Sequence, residues 1–215
     1  QSADAAAFRE MVGDRPVHVV HHPNVIDPLP PAEREPMEIA FVASGMSSNV
    51  DALRQFLQEI WPQVSPEVRR LARIVVYGGV CTKFEPSELP EGVELRGFVA
   101  DLRAAYQAAA VVINPVLAGG GLKIKTVESL CYGRCLITTP CGGEGLEDGA
   151  GSAFLVATSG VEFASHLASV LLDSEGRSAL AMRAMTYARK HLARDVVRAS
   201  LANALSVGQK AERWK

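Results

Sequence analysis

The sequence predicts an α/β fold: a Rossmann-like parallel sheet with helices on both faces. Three observations indicate it. Short continuous runs of Val, Ile and Leu recur along the chain, as is typical of strands buried on both sides. Amphipathic segments of helical period lie between these runs. Of the 215 residues, 48% are hydrophobic, which provides enough apolar surface for the core of one full domain.

The strands are predicted from their apolar runs, which end at glycine, proline or a polar loop. In chain order they cover residues 39–43, 72–77, 93–95, 110–114, 135–139 and 154–156, after a short candidate strand at 17–20. Ligands of parallel sheets bind at the carboxyl ends of the strands. We therefore expect the loops that follow these strands to converge on one edge: Gly45 and residues 78–79, 114–121 and 140–145.

Helices are predicted at residues 49–61, 102–109, 126–132, 160–173, 176–191 and 194–208, with a first short helix inside 1–16. The helix at 49–61 repeats apolar residues with helical spacing, and Asn49 is placed to cap its start. Residues 27–36 hold four prolines among charged residues, a composition that favours an extended linker.

Charge and composition exclude several classes of protein. The formal net charge of −2 argues against a general nucleic-acid binder, which would be clearly basic. No apolar run approaches the roughly 20 residues that cross a bilayer. Residues 1–4 do not begin a signal peptide. The chain also starts without methionine, so we expect a piece of a longer cytoplasmic protein.

The cysteines predict neither a metal site nor a disulfide framework. They are Cys81, Cys131, Cys135 and Cys141, and their spacing does not match the paired motifs of zinc sites. A chain of this size and apolar content does not need disulfides. We expect reduced, mostly buried thiols, and no metal or organic cofactor.

A glycine-rich turn with two lysines, at residues 119–125, is the strongest sign of a binding site. It follows the apolar run 110–114 and opens the next predicted helix. The positive end of a helix dipole disfavours Lys123 and Lys125, and no Ser, Thr, Asp or Asn precedes them as a cap. A bound phosphate would resolve both defects. The alternative is a solvated turn in which Lys125 pairs with Glu128 one helical turn along.

Five signatures, one of which overlaps the glycine turn, occur in order along nearly the whole chain. They are residues 22–27 (HPNVID), 41–53 (FVASG, then NVDAL), 95–102 (LRGFVADL), 121–130 (GLKIKTVESL) and 138–146 (TTPCGGEGL). Together they resemble the C-terminal domain of group 1 glycosyltransferases, retaining enzymes with two facing Rossmann-like domains (the GT-B architecture). The resemblance implies the C-terminal half of a GT-B fold and a site for a nucleotide-diphosphate sugar.

The resemblance also implies roles for the glycine turn and its helix. Lys123 and Lys125 match the basic pair that faces the diphosphate in the family. Gly121 and Leu122 would offer the diphosphate their backbone N–H groups. Glu128 matches the glutamate that accepts hydrogen bonds from the ribose hydroxyls, a task for which a carboxylate has enough acceptor sites.

Other loops are expected to border the same donor site. Ser44 and Gly45 are small groups that would approach the diphosphate closely. Val99 matches a segment beside the nucleobase, whereas its neighbour Phe98 is expected to pack in the core. Glu144 would either approach the sugar or brace its loop, and both options stay open. The resemblance assigns no catalytic residue in this chain and implies no metal.

The chain departs from the family pattern at two points. Gly120 stands eight positions before Glu128, where many members have a glutamate that holds the transferred sugar. Residues 45–49 lack the Arg and Lys that many members carry after the first strand. The diphosphate would then rely mainly on the turn at 121–125.

The resemblance implies three parts: an interdomain segment and linker at 1–36, a nucleotide-sugar-binding domain at 37–191, and a C-terminal helix at 192–215 that crosses to a missing N-terminal domain. The expected partners are the nucleotide-sugar donor and a sugar or lipid-linked acceptor held by that other domain, without nucleic acid. The expected setting is polysaccharide biosynthesis in the cytoplasm or at the inner face of the membrane. The isolated chain is expected to bind nucleotide without transferring sugar.

Two alternatives keep the same architecture: a non-catalytic nucleotide-sugar binding module, favoured by Gly120, and a nucleotide-sugar epimerase. A flavodoxin-like or receiver-like signalling domain would need an acidic cluster at the strand ends, which the sequence lacks.

Overall fold

The computed structural model describes residues 2–13, 15, 17–32 and 36–212, and its centre is a six-stranded sheet. The strands are β1 (Met37–Val42), β2 (Ala72–Tyr77), β3 (Val93–Gly97), β4 (Ala109–Asn114), β5 (Cys135–Thr138) and β6 (Leu155–Val156). Their order across the sheet is β3-β2-β1-β4-β5-β6, and every pairing is parallel. The predicted fold class is therefore confirmed.

Helices surround the sheet. Those that the structure describes are α1 (Ser2–Val12), α2 (Ser47–Gln55), α3 (Pro66–Arg69), α4 (Leu102–Ala108), α5 (Ile124–Cys131), α6 (Gly160–Leu172), α7 (Ser174–His191) and α8 (Arg194–Glu212). A π turn at Phe56–Ile60 and a 3₁₀ turn at Trp61–Gln63 continue α2. Further 3₁₀ turns lie at Gly79–Lys83, Pro86–Glu88 and Glu147–Gly149.

Two apolar cores lie on the two faces of the sheet, because successive residues of a strand point to opposite sides. From β1, Ile39 and Phe41 enter the core shared with α2 and α6. Ala40 and Val42 enter the core shared with α4 and α5. Helix α7 contributes to both cores. Both faces of β1 are thus buried, which explains its uninterrupted apolar sequence.

The strand order opens a crevice between the carboxyl ends of β1 and β4. The chain runs outward from β1 through β2 to β3 and then returns to β4 on the other side of β1. The connections that follow β1 and β4 therefore leave in opposite directions. In open α/β sheets such a reversal of strand order is where ligands bind.

Two local predictions are wrong. Residues 17–20 form no strand, and Val19 is 37% exposed, so this run lacks the buried face that a strand needs. Asn49 does not cap a helix, because α2 begins two residues earlier and Met46 precedes it without a side-chain cap. The Asn49 side chain bonds elsewhere in the tertiary structure.

The proline-rich segment before β1 lies against the domain at residues 27–32. Leu29 is buried in the second core. The guanidinium of Arg134, a residue that is 3% exposed, donates hydrogen bonds to the carbonyls of Leu29 (2.6 Å), Pro30 (2.7 Å) and Ala109 (3.3 Å). Residues 33–35, inside the same predicted linker, lie outside the described residues.

The cysteines are free, as expected, and three of the four are buried; Cys141 is partly exposed. The predicted final helix corresponds to α8, while residues 213–215 lie outside the described residues. Among the described residues, no helix combines the length and the apolar character that crossing a membrane requires.

Candidate functional site

A cleft of about 720 Å³ lies at the carboxyl edge of the sheet. The connections after β1, β2, β3 and β4 and the first turns of α5 form its walls. Seven of the nine predicted site residues line it: Ser44, Gly45, Val99, Leu122, Lys123, Lys125 and Glu128. Gly121 lies between two lining residues, and Glu144 reaches the site through Lys123. The structure thus brings together residues that lie up to 100 positions apart in the sequence, from Ser44 to Glu144.

The glycine turn enters α5 without a cap. Gly119 and Gly121 have φ values of 117° and 83°, in the left-handed region that side chains disfavour. Lys123 precedes α5 without a side-chain cap, and the first helical turn has no acidic residue. The start of α5 therefore presents uncapped backbone N–H groups, the positive end of the helix dipole, to the cleft, as the sequence predicts.

Lys125 lies in the cleft wall without an acidic partner among the described residues. Its Nζ donates a 2.5 Å hydrogen bond to Oδ1 of Asn49 and sits 5.0 Å from the ring centroid of Phe41. Burial, and next the nearby charge of Lys123, lower the pKa of Lys125 to about 8. An anion would be favoured here because it restores a counter-charge to a desolvated ammonium.

Asn49 connects Lys125 to the connection after β1. It is 8% exposed, and its Nδ2 donates hydrogen bonds of 3.1 Å to the carbonyl oxygen and to Oγ of Ser44. Sequence reasoning missed this role, since a polar residue near a helix start favours a cap. Asn49 lies at 76 positions from Lys125, a separation that no local pattern reports.

Lys123 is engaged by its own loop. Its Nζ donates to the carbonyls of Gly119 (2.8 Å) and Gly121 (2.7 Å) and to Oε2 of Glu144 (3.1 Å). The Lys123 side chain is only 12% exposed. Glu144 therefore contacts the glycine turn through Lys123, and both options for its role stay predictions.

Glu128 faces the cleft and is held from behind by α4. The hydroxyl of Tyr106 donates a 2.8 Å hydrogen bond to Oε2 of Glu128. Burial raises the pKa of Glu128, and the bond from Tyr106 opposes that rise. Since Lys125 and Glu128 each bond to another partner, the Lys125–Glu128 ion pair of the solvated-turn alternative does not form.

A buried polar network behind the cleft fixes the start of α5. Asn114 Nδ2 donates to Thr126 Oγ1 (2.9 Å), which donates to the carbonyl of Gly142 (2.8 Å). Thr138 Oγ1 donates to the carbonyl of Asn114 (2.9 Å). The sequence signal for this network is polar residues at the ends of otherwise apolar strands. The hydrogen-bond network joins β4, α5 and the loop after β5.

Phe98 is not a core residue, so that prediction is wrong. It is 87% exposed and lines the mouth of the cleft beside Val99. Gly97, with φ of 67°, turns the chain at the end of β3. Beyond this turn Val99 packs against the second core, and Phe98 is left outside it.

The described residues contain no group of three His, Cys, Asp or Glu side chains that could hold a metal ion. The chemistry on offer is instead an ammonium, an uncapped helix start and a carboxylate within one cleft. These groups match the phosphate and hydroxyl groups of a nucleotide.

Comparison with known proteins gives a matching family and similar folds. The family described as "Glycosyl transferases group 1" matches residues 37–173. A curated relative, an uncharacterized 44.6 kDa protein in the cps region of Klebsiella pneumoniae, is 22% identical over 154 residues, 68% of this chain and 40% of its own length.

Solved structures share the fold at low identity. TarM of S. aureus has a TM-score of 0.76 at 9% identity, over 95% of this chain and 42% of its own. HepE of Anabaena, in complex with UDP and glucose, has a TM-score of 0.63 at 15% identity, over 96% and 52%. The chain therefore spans about half or less of the length of these proteins.

Proposed function

The chain belongs to the group 1 glycosyl transferases, and from this membership we propose that it is the donor-binding domain of an enzyme that takes a sugar from a nucleotide-diphosphate sugar. In this proposal the sugar is transferred with its anomeric configuration retained. The acceptor, a sugar or a lipid-linked sugar, is held by another domain of the longer protein.

One observation carries the proposal: Lys125 and Glu128 lie one helical turn apart and line the same cleft. The ammonium meets the diphosphate, and the carboxylate meets the ribose hydroxyls. During transfer, negative charge develops on the departing nucleoside diphosphate. Lys125 and the uncapped start of α5 stabilise this charge electrostatically.

Two relatives narrow the proposal further. HepE binds UDP and UDP-glucose, so uridine diphosphate is the first donor nucleotide to test. The Klebsiella relative belongs to a cps region, which favours a role in polysaccharide biosynthesis. The proposed location is the cytoplasm or the cytoplasmic face of the membrane.

The test is nucleotide binding by the 215-residue chain, measured by thermal shift and calorimetry with UDP, GDP, ADP and their glucose conjugates. A ligand at 100 times its Kd stabilises the folded state by about 2.7 kcal/mol. We expect one nucleoside diphosphate to raise the Tm, and both Lys125→Met and Glu128→Gln to remove most of the rise. Lys190→Met, on α7 and outside the cleft lining, is the matched control. If no nucleotide raises the Tm, or the rise survives both cleft substitutions, the proposal is wrong.

A non-catalytic module is the second candidate, because Gly120 replaces the family glutamate. The position has room for a side chain, since nothing lies within 4 Å of an added Cβ. In the full-length protein, a module would bind nucleotide but show no transfer activity. Detectable transfer that Lys125→Met abolishes would exclude this candidate.

A further inference from the structure

The two lysines of the glycine turn differ in the hydrogen-bond and ionic partners that their ammonium groups have. An ammonium has three N–H donors. All three N–H groups of Lys123 donate hydrogen bonds, to Gly119, Gly121 and Glu144, with donor–acceptor distances of 3.1 Å or less. Two of these acceptors are carbonyls of the turn itself, and the third carries the opposite charge. The hydrogen bonds of Lys123 thus stabilise the conformation of the glycine turn.

Lys125 has the complementary arrangement. Its hydrogen-bond acceptor is the neutral amide of Asn49, and its other neighbour is the face of Phe41. Neither removes the positive charge, so among the described residues this ammonium is the one in the cleft that lacks an acidic partner.

Asn49 fixes the direction of Lys125. Both ends of its buried amide are bonded, with Nδ2 on Ser44 and Oδ1 on Lys125. The amide oxygen attracts the ammonium without neutralising it. A carboxylate of the same size would hold Lys125 in the same place and cancel its charge.

We propose that the lysines divide two tasks: Lys123 holds the glycine turn in shape, and Lys125, positioned by Asn49, is the side-chain cation that contacts the diphosphate. The proposal rests on the proposed function, since it assigns parts of that same donor site. It identifies Asn49 as a positioning residue, in the place where many family members carry basic residues after the first strand.

The test compares the affinity for UDP and for uridine, measured by calorimetry at several salt concentrations, in the unmodified chain and in three variants. Salt weakens contacts between charged groups. Lys125→Met should weaken UDP binding about 10- to 100-fold, the range expected for a charged hydrogen bond. It should also flatten the dependence on salt and leave uridine binding unchanged. Asn49→Asp should do the same, because it supplies Lys125 with an internal counter-charge.

Glu144→Gln distinguishes the role of Lys123. If Glu144 held back a diphosphate-binding lysine, breaking this ion pair would tighten UDP binding. We expect no tightening, an unchanged dependence on salt, and faster hydrogen exchange of the amides at 119–122. Tighter binding by Glu144→Gln, or a normal salt dependence in Asn49→Asp, would overturn the division of tasks. Failure of the unmodified chain to bind any nucleotide would instead overturn the proposed function and this inference with it.

Discussion

The hydroxyl of Tyr106 donates a 2.8 Å hydrogen bond to Oε2 of Glu128, which ties α4 to the carboxylate in the cleft. Tyr106 is fully buried, and its ring stacks on that of Tyr132 at a centroid distance of 4.8 Å. Burial, and then the charge of Glu128, raise the pKa of Tyr106 well above its ordinary value, so the phenol stays a donor. One oxygen of Glu128 is thereby oriented before any ligand binds.

Tyr106→Phe should therefore weaken nucleotide binding without removing a ligand-contacting group. A hydrogen bond to a charged group contributes about 1.5–3 kcal/mol. The substitution also removes the bond that lowers the pKa of Glu128, so that pKa rises further. Affinity for UDP should be measured between pH 7 and 4.5. As the pH falls, the variant should lose affinity at a higher pH than the unmodified chain, because its Glu128 carboxylate protonates at a higher pH. Tyr132→Phe is the control. Identical pH profiles for Tyr106→Phe and the unmodified chain would show that the bond has no part in binding.

Lys125 should make nucleotide binding weaker in alkaline solution. Its pKa is lowered to about 8 in the free protein, and a bound diphosphate raises the pKa of an ammonium. Below pH 8 the free ammonium is already mostly charged, so Lys125 contributes little to the pH dependence of affinity there. Above pH 8 affinity should fall by up to tenfold per pH unit, until the pKa of the bound form is reached.

The groups that face Lys125 set the controls for this profile. Lys123 lowers its pKa, and Cys141 acts in the opposite sense. Lys125→Arg should bind UDP with a flat profile between pH 7 and 9.5, because a guanidinium does not deprotonate there. Cys141→Ser should keep the decline. A flat profile in the unmodified chain would contradict the prediction.

Local sequence patterns predicted the sheet well because its strands are buried on both faces. The runs at 72–77 and 110–114 are apolar whatever their neighbours are, and they became β2 and β4. The segment at 17–20 is also rich in valine, but a strand needs a neighbouring strand whose backbone N–H and C=O groups are free to pair with it. That condition depends on topology, which a short apolar run does not contain.

The site was predicted only in part, because only some of its residues are close to one another in the sequence. The helix start at Lys123 and the carboxylate at Glu128 lie within nine positions of the glycines of the turn, so their meeting is a local property. The partners of Lys125 and Glu128 come from α2 and α4, and only the folded sheet brings them together. Phe98 was misplaced because its direction follows from the positive φ of Gly97.

Arg134 should stabilise the domain by holding the segment before β1. Burial lowers the pKa of its guanidinium to about 10, and all its hydrogen-bond acceptors are carbonyls. Arg134→Lys keeps the charge but loses the planar fork, whose Nη2 reaches Leu29 and Pro30 while its Nη1 reaches Ala109. We expect a loss of about 1–3 kcal/mol in the free energy of unfolding, measured in urea, because buried carbonyls lose their donors.

Nucleotide affinity is the control for Arg134, since this residue lies outside the lining of the cleft. Limited proteolysis should cut the segment at 27–36 faster in Arg134→Lys than in the unmodified chain. An unchanged urea midpoint, with unchanged proteolysis, would mean that the bonds from Arg134 contribute nothing to stability.

Two glycines near the cleft should respond in opposite ways to alanine. A Cβ on Gly142 would lie 2.0 Å from Thr138 Oγ1 and 2.9 Å from Asn114 Nδ2, both in the buried network. A Cβ on Gly120 would meet nothing within 4 Å, and the φ of Gly120 lies outside the left-handed region. Gly142→Ala should therefore lower the free energy of unfolding by about 1–3 kcal/mol through overpacking. Gly120→Ala should leave it unchanged or raise it by up to about 1 kcal/mol, because alanine restricts the unfolded chain. Equal urea midpoints for the two variants would show that the network around Gly142 yields to an added methyl group. In that case the start of α5 would be less rigidly held than its hydrogen bonds indicate.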